Sequence, residues 1–189
     1  MNPKLFLGGA CLLLLVGATA DKQRYRLDTK ASNVSAKVAF FGIASKTAGF
    51  PKVTGSASIA GADPETLQLD VRIDARALTA PDKVTLRRLK GDKFFWVEKH
   101  PEIRFRGTGL RMASDRRGSL DGQLTARGVT RPVTLEITFD EAPCSAPAAG
   151  PLGITGTTEI DRREFGMTSY ALIVSKKVDV TIRARMVPE

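Results

Sequence analysis

Over most of its length the chain alternates apolar and polar residues with a period of two, and this pattern constrains the fold more than any other feature. Val34, Ala36, Val38 and Phe40 alternate with polar or small residues, as do Val53, Gly55, Ala57 and Ile59. Leu67, Leu69, Val71, Ile73 and Ala75 interleave with Gln68, Asp70, Arg72 and Asp74. The pattern resumes at Ile103 and Phe105, at Leu120, Gly122, Leu124 and Ala126, and at Val133, Leu135, Ile137 and Phe139. It closes with Ile154, Gly156, Thr158 and Ile160, and with Val178, Val180, Ile182, Ala184 and Met186. Successive side chains of a strand point to opposite faces, so these segments predict eight strands, each with one apolar and one solvated face. That is the habit of antiparallel sheet. Tyr25 to Leu27 is a further short candidate strand. The apolar phase slips between Phe105 and Leu110, across Gly107 and Gly109, which predicts a bulge or bend.

Eight one-sided strands must hide their apolar faces in a sandwich or by closing into a barrel. Many inward positions are small: Ala36, Gly55, Ala57, Gly122, Ala126, Gly156 and Ala184. A packed sandwich calls for larger residues, whereas a closed sheet of about eight strands with small linings leaves room for one elongated ligand. The expected fold is therefore all-β, an eight-stranded antiparallel barrel. One helix is predicted over Ala80 to Lys90, with Thr79 and Asp82 forming a capping box and Pro81 in the first turn. Loops are marked by Gly61 to Pro64, Ser114 to Gly118 and Glu141 to Gly153, the last rich in proline and alanine. No repeat, heptad or second domain is legible.

Residues 1–20 read as a signal peptide. Lys4 is its only charge, Leu5 to Val16 is an apolar run, and Ala18-Thr19-Ala20 has the small-x-small form of a cleavage site, with cleavage after Ala20. The run is short for a membrane span. Gly8, Gly9 and Ala10 before Cys11 do not form the apolar stretch of a lipoprotein site. An exported, periplasmic protein comprising residues 21–189 is expected. Cys144 is then its one thiol and cannot form an internal disulfide. With 29 Lys and Arg against 20 Asp and Glu, the chain has a formal net charge of +9. The cations are scattered over strands and turns rather than clustered with exposed aromatics, so nucleic acid is not an expected partner. Transient attraction to an anionic membrane surface is compatible with the charge.

The catalytic inventory is poor. His100 is the only histidine and lies in a charged turn before Pro101, so no Ser-His-Asp set or metal-ligand cluster is implied. No phosphate-binding glycine loop occurs. The apolar inventory is richer. Phe94, Phe95 and Trp96 follow the helix, and three adjacent aromatics are costly to leave in water. They are expected to plug one end of the barrel, creating a pocket for a long apolar molecule.

Four motifs then occur in order. Tyr25, Leu27, Asp28 and Ser32 lead to Gly49 and Phe50; Leu89, Phe94, Phe95, Glu98, Pro101, Ile103 and Phe105 follow. Next come Gly122, Leu124, Thr125, Gly128, Val129, Thr130, Pro132 and Val133, and finally Arg162, Phe165, Gly166 and Met167. In these the chain resembles the YceI-like family of exported, lipocalin-like proteins. The resemblance covers nearly all of 21–189. It implies a barrel whose interior holds a polyisoprenoid, typically a quinone tail, with no catalytic activity. Ala31, Phe40 and Arg88 stand where the family often has histidines, which leaves fewer anchors for a headgroup.

The expectation is a binding protein, not an enzyme, that stores or transports a polyisoprenoid or similar lipid, as a monomer or homodimer and with no cofactor. Its expected ligand-binding residues are Val38, Phe40, Val71, Ile73, Phe94, Phe95, Trp96, Phe105, Leu124, Phe165 and Ile182. Two alternatives stand beside it: a packed barrel acting as an interaction or inhibitor protein, and an enzyme acting on a lipid in the pocket.

Overall fold

The computed structural model describes residues 22–60, 63–143 and 150–189; the expected signal peptide and Cys144 lie outside the described residues. Ten strands and one α-helix follow in order: β1 (Lys22–Leu27), β2 (Asn33–Phe40), β3 (Ala44–Phe50), β4 (Val53–Ala60), β5 (Gln68–Asp74), α1 (Lys83–Lys90), β6 (Glu102–Met112), β7 (Arg117–Ala126), β8 (Val129–Phe139), β9 (Leu152–Asp161) and β10 (Val174–Pro188). The sheet runs β1-β4-β5-β6-β7-β8-β9-β10 and closes on itself where β10 pairs with β1. Along the long β10, Met186–Pro188 face β1 while Val174–Arg183 face β2. Likewise β3 carries on from β4, pairing with β2 as β4 pairs with β1. The result is an eight-stranded antiparallel barrel in which two of the eight staves are broken.

Each break has a local cause. Between β1 and β2, the Asp28 carboxylate accepts from the amides of Lys30 and Ala31, turning the chain out of line. The buried Ser32 hydroxyl then accepts the Arg185 amide at 3.0 Å, filling the ladder position that the excursion vacates. Between β3 and β4, Pro51 has no N–H to give the ladder. The whole of β3 escaped the period-two reading because its inward positions are Lys46, Ala48 and Phe50, with one large apolar residue among them. The expected slip in β6 is present: the register shifts between Thr108 and Leu110, and Gly109 adopts φ +71°.

The helix is shorter than expected. It starts at Lys83, and its N-cap is Asp82, whose carboxylate accepts the Thr85 amide at 2.8 Å. Thr79 plays no capping part; it is held in a bridge to Gly49, and Pro81 lies outside the helix.

Antiparallel connections alternate between the two ends of the barrel. The β2–β3 turn, the β5–β6 connection with α1, the β7–β8 turn and the β9–β10 connection share one end, the mouth. The far end is filled by Phe105, Leu110, Leu120, Leu135, Ile137 and Phe139. Small inward residues have two different uses. The Phe105 ring lies against Gly122, and Leu120 against Gly107, so these glycines admit neighbouring side chains. Of the seven small positions, Ala36, Ala126, Gly156 and Ala184 border open space, whereas Gly55, Ala57 and Gly122 do not.

Candidate functional site

Inside the mouth half of the barrel lies a cavity of about 240 Å³. Its walls follow from strand register. Across β2, β10 and β9, side chains stack in rows: Val38, Val178 and Ile160; Ala36, Val180 and Thr158; Val34, Ile182 and Gly156. On the opposite wall Val71, Phe105 and Leu124 align across β5, β6 and β7. These inward positions are apolar because the alternation places them there, and the lining stays open where the residues are small.

Nine of the eleven residues expected from the sequence line this cavity: Val38, Phe40, Val71, Ile73, Phe94, Phe95, Phe105, Leu124 and Ile182. Trp96 and Phe165 do not. Trp96 sits in a tight turn with φ +48°, its ring edge-on to His100 at 5.8 Å and under Lys99 Nζ at 4.4 Å. Three consecutive turn residues cannot all point the same way, so the expected three-ring plug is not formed. Phe94 and Phe95 contribute two rings to the wall, stacked on Tyr170 and edge-on to Phe50, respectively. Phe165 is packed into the protein core, 1% exposed, behind the turn that follows β9. His100, expected as a surface turn residue, is half-buried against Trp96 and Gly128.

Among the described residues, no carboxylate, imidazole or thiol lines the cavity, and no group of three His, Cys, Asp or Glu is placed to hold a metal. The wall's charged groups are basic. Lys46 and Arg88 stand at the rim, where Lys46 Nζ bridges β3 to α1 through Asp82 at 2.9 Å and Thr85 Oγ1 at 2.6 Å. Those bonds hold the Asp82 carboxyl well below the usual carboxylate range, the Thr85 amide being the largest cause. Deeper in, Arg162 is 3% exposed, so its charge has been taken out of water. Burial lowers its pKa, opposed by neighbouring Asp161, and its guanidinium donates to the carbonyls of Ser175, Val174 and Met167. That set ties down the connection between β9 and β10.

The YceI-like domain family matches residues 25–186, the whole barrel. The chain belongs to the YceI-like family. A UPF0312 protein of Pseudomonas putida is 25% identical over 156 residues, 82% of this chain and 81% of that one. A second, from Pseudomonas syringae pv. syringae, is 25% identical over 165 residues, covering 86% and 84%. Among solved structures, Burkholderia cenocepacia BcnA superposes with a TM-score of 0.74 at 20% identity, over 84% of this chain and 98% of that one. A domain from Saccharophagus degradans described as polyisoprenoid-binding gives 0.68 at 15% identity, over 87% and 98%. These similarities agree in the fold.

Several residues that mark this chain as YceI-like prove to be framework. Ser32 patches the broken stave, Gly166 takes the left-handed conformation after the β9 turn, and Gly128 at φ +75° leaves room for His100. Sequence reasoning missed Tyr170, Ile173 and Val174 on the wall, which lie where no alternation is visible. It also missed Arg162 as a wall residue, although the family motif had singled it out.

Proposed function

We propose that this YceI-like protein is an exported, periplasmic carrier that holds a polyisoprenoid or similar long apolar lipid in its barrel for storage or transport, without catalysis. An isoprenoid quinone is within this class. One observation carries the reading: a roughly 240 Å³ space whose wall is almost wholly apolar. It exceeds the ~150 Å³ apolar cavities that stay dry and take up a benzene-sized guest. A water there would find few partners, whereas each 100 Å² of lipid buried returns on the order of 2.5 kcal/mol before binding costs. The description of the Saccharophagus relative as polyisoprenoid-binding supports the ligand class. A fully packed interaction protein would have no such space. The lack of an acid–base pair on the wall supports binding rather than reaction.

The test is native mass spectrometry of protein purified from an envelope fraction, followed by solvent extraction. An adduct extracting as a long isoprenoid is the expected result, and its headgroup identifies the ligand. A clean apo mass, with no uptake of added isoprenoids by mass, would sink the carrier. Trp96 lies off the cavity wall, so its fluorescence is not the readout of choice.

A further inference from the structure

The large apolar residues that are exposed among the described residues are Phe41, Ile43, Val84 and Leu172, and all four lie at the mouth. Phe41 and Ile43 form the β2–β3 turn, Leu172 the β9–β10 connection, and Val84 the first turn of α1. They are held together. The Phe41 amide donates to the Ile173 carbonyl at 2.8 Å, joining the turn to the connection. On the other side, Lys46 ties β3 to the start of α1. The apolar surface is continuous with the cavity: the exposed Phe41 packs edge-on at 4.7 Å against Phe40, and Leu172 adjoins Ile173, both cavity-wall residues.

Two local rules are broken here. Phe41 occupies φ +53°, a conformation suited to Asn or Gly. It is also 61% exposed, and Leu172 is 99% exposed. Neither position gains stability from its side chain, so both are candidates for function.

Charge is just as one-sided. The mouth segments 37–47, 82–93 and 166–177 hold nine Lys and Arg against Asp82 and Asp92. Lys37, Lys83, Arg87, Lys90, Lys93 and Lys176 form no ion pair among the described residues. The far-end segments carry Asp63, Glu65, Asp115, Asp140 and Glu141 against Arg116 and Arg117.

We propose that the mouth docks on an anionic phospholipid bilayer, with Phe41, Ile43 and Leu172 inserted among the headgroups and the surrounding cations on the lipid phosphates. Apolar side chains ringed by Lys and Arg are the chemistry of an interfacial anchor, and opposite charge at the far end orients the approach. The cavity then opens directly onto the acyl region, and a lipid passes between bilayer and barrel without crossing water. The use of this surface rests on the carrier reading, but docking itself is measured apart from it.

The experiment is flotation of the purified protein with vesicles rich in phosphatidylglycerol or made of phosphatidylcholine alone, at low and high salt. Cavity content is measured in parallel by extraction and mass spectrometry. Expected is binding to phosphatidylglycerol vesicles that salt weakens. The combined substitution Phe41→Ser, Ile43→Ser, Leu172→Ser should weaken it at least about tenfold with unchanged circular dichroism. Lys83→Glu with Arg87→Glu should weaken binding to phosphatidylglycerol but not to phosphatidylcholine. Phe41→Asn should weaken binding while raising the melting temperature, since it relieves the turn. Absence of flotation at low salt, or undiminished flotation of the triple-serine variant, would overturn the proposal. So would a dimer that this variant splits in sedimentation without any vesicle binding, which would assign the patch to a second copy. Flotation of a protein that never carries lipid supports docking and refutes the carrier instead.

Discussion

Gly122 and Gly156 sit on the same apolar face of the sheet yet do opposite things. A Cβ at Gly122 would run into the Phe105 ring and the Arg106 carbonyl, whereas one at Gly156 would meet Ile137 at 3.4 Å and Ile182 at 3.6 Å, ordinary contacts. Gly122→Ala should therefore destabilise by about 1–3 kcal/mol in a denaturant melt. Gly156→Val should keep its fold but fill the cavity, so the extracted lipid should fall in the same preparation. The alternation put both glycines inside; which one is occupied depends on a ring from another strand. A third residue-scale case is Asp161, whose carboxyl Arg163 holds down to about 2. Its folded pKa lies below the unfolded value of 3.8, so the folded state binds fewer protons between them. The stabilisation is present above pH 3.8 and is lost as pH falls through about 2. Asp161→Asn should flatten that part of the acid-denaturation curve. Arg162→Met would leave the Ser175, Val174 and Met167 carbonyls without their donor, at a cost on the order of 1–3 kcal/mol for each group left unpaired.

At the scale of elements, the mouth is built from the pieces with the weakest sequence signals. The helix α1 has no buried residue and relies on its Asp82 cap and the Lys46 tie. A helix of eight residues is marginal by itself, so these contacts decide whether it forms. Asp82→Ala should speed hydrogen exchange at the Thr85 and Leu86 amides, the two bonded to Asp82, while strand amides of the far-end core stay protected. The helix start was misplaced because Thr79 and Asp82 both have capping chemistry. The choice between them was made by Gly49, which holds Thr79 in a bridge from a distant strand. The strand β3 was missed for a related reason: its inward Lys46 turns to meet Asp82 on α1, and a lysine on the apolar phase hides a strand from a periodicity reading.

For the whole molecule, closure depends on β10, which pairs with β9 along most of its length and then with β2 and β1 in turn. A ligand that fits the cavity binds the closed barrel and not the unfolded chain. The lipid-bound protein should consequently melt at a higher temperature than the extracted one, with about 2.7 kcal/mol of added stability when free ligand stands at 100 times its Kd. Equal melting of the two forms would argue that the lipid sits elsewhere. The same scale carries the charge asymmetry, since a basic mouth and an acidic far end arise only when alternate connections gather at opposite ends.

The sequence by itself determined the class of fold, because a period of two assigns each residue to a face with no knowledge of its neighbours. Its family motifs and nine of the residues now on the cavity wall were likewise legible, being large apolar groups on the inward phase or beside the helix. Only the tertiary structure decided where the interior is empty, where Trp96 and Phe165 point, and that the broken staves β1–β2 and β3–β4 count as two. Empty space is set by side chains meeting across register from distant parts of the chain. The gathering of Phe41, Ile43 and Leu172 at one rim is likewise a product of closure, because no local pattern links residues 41 and 172.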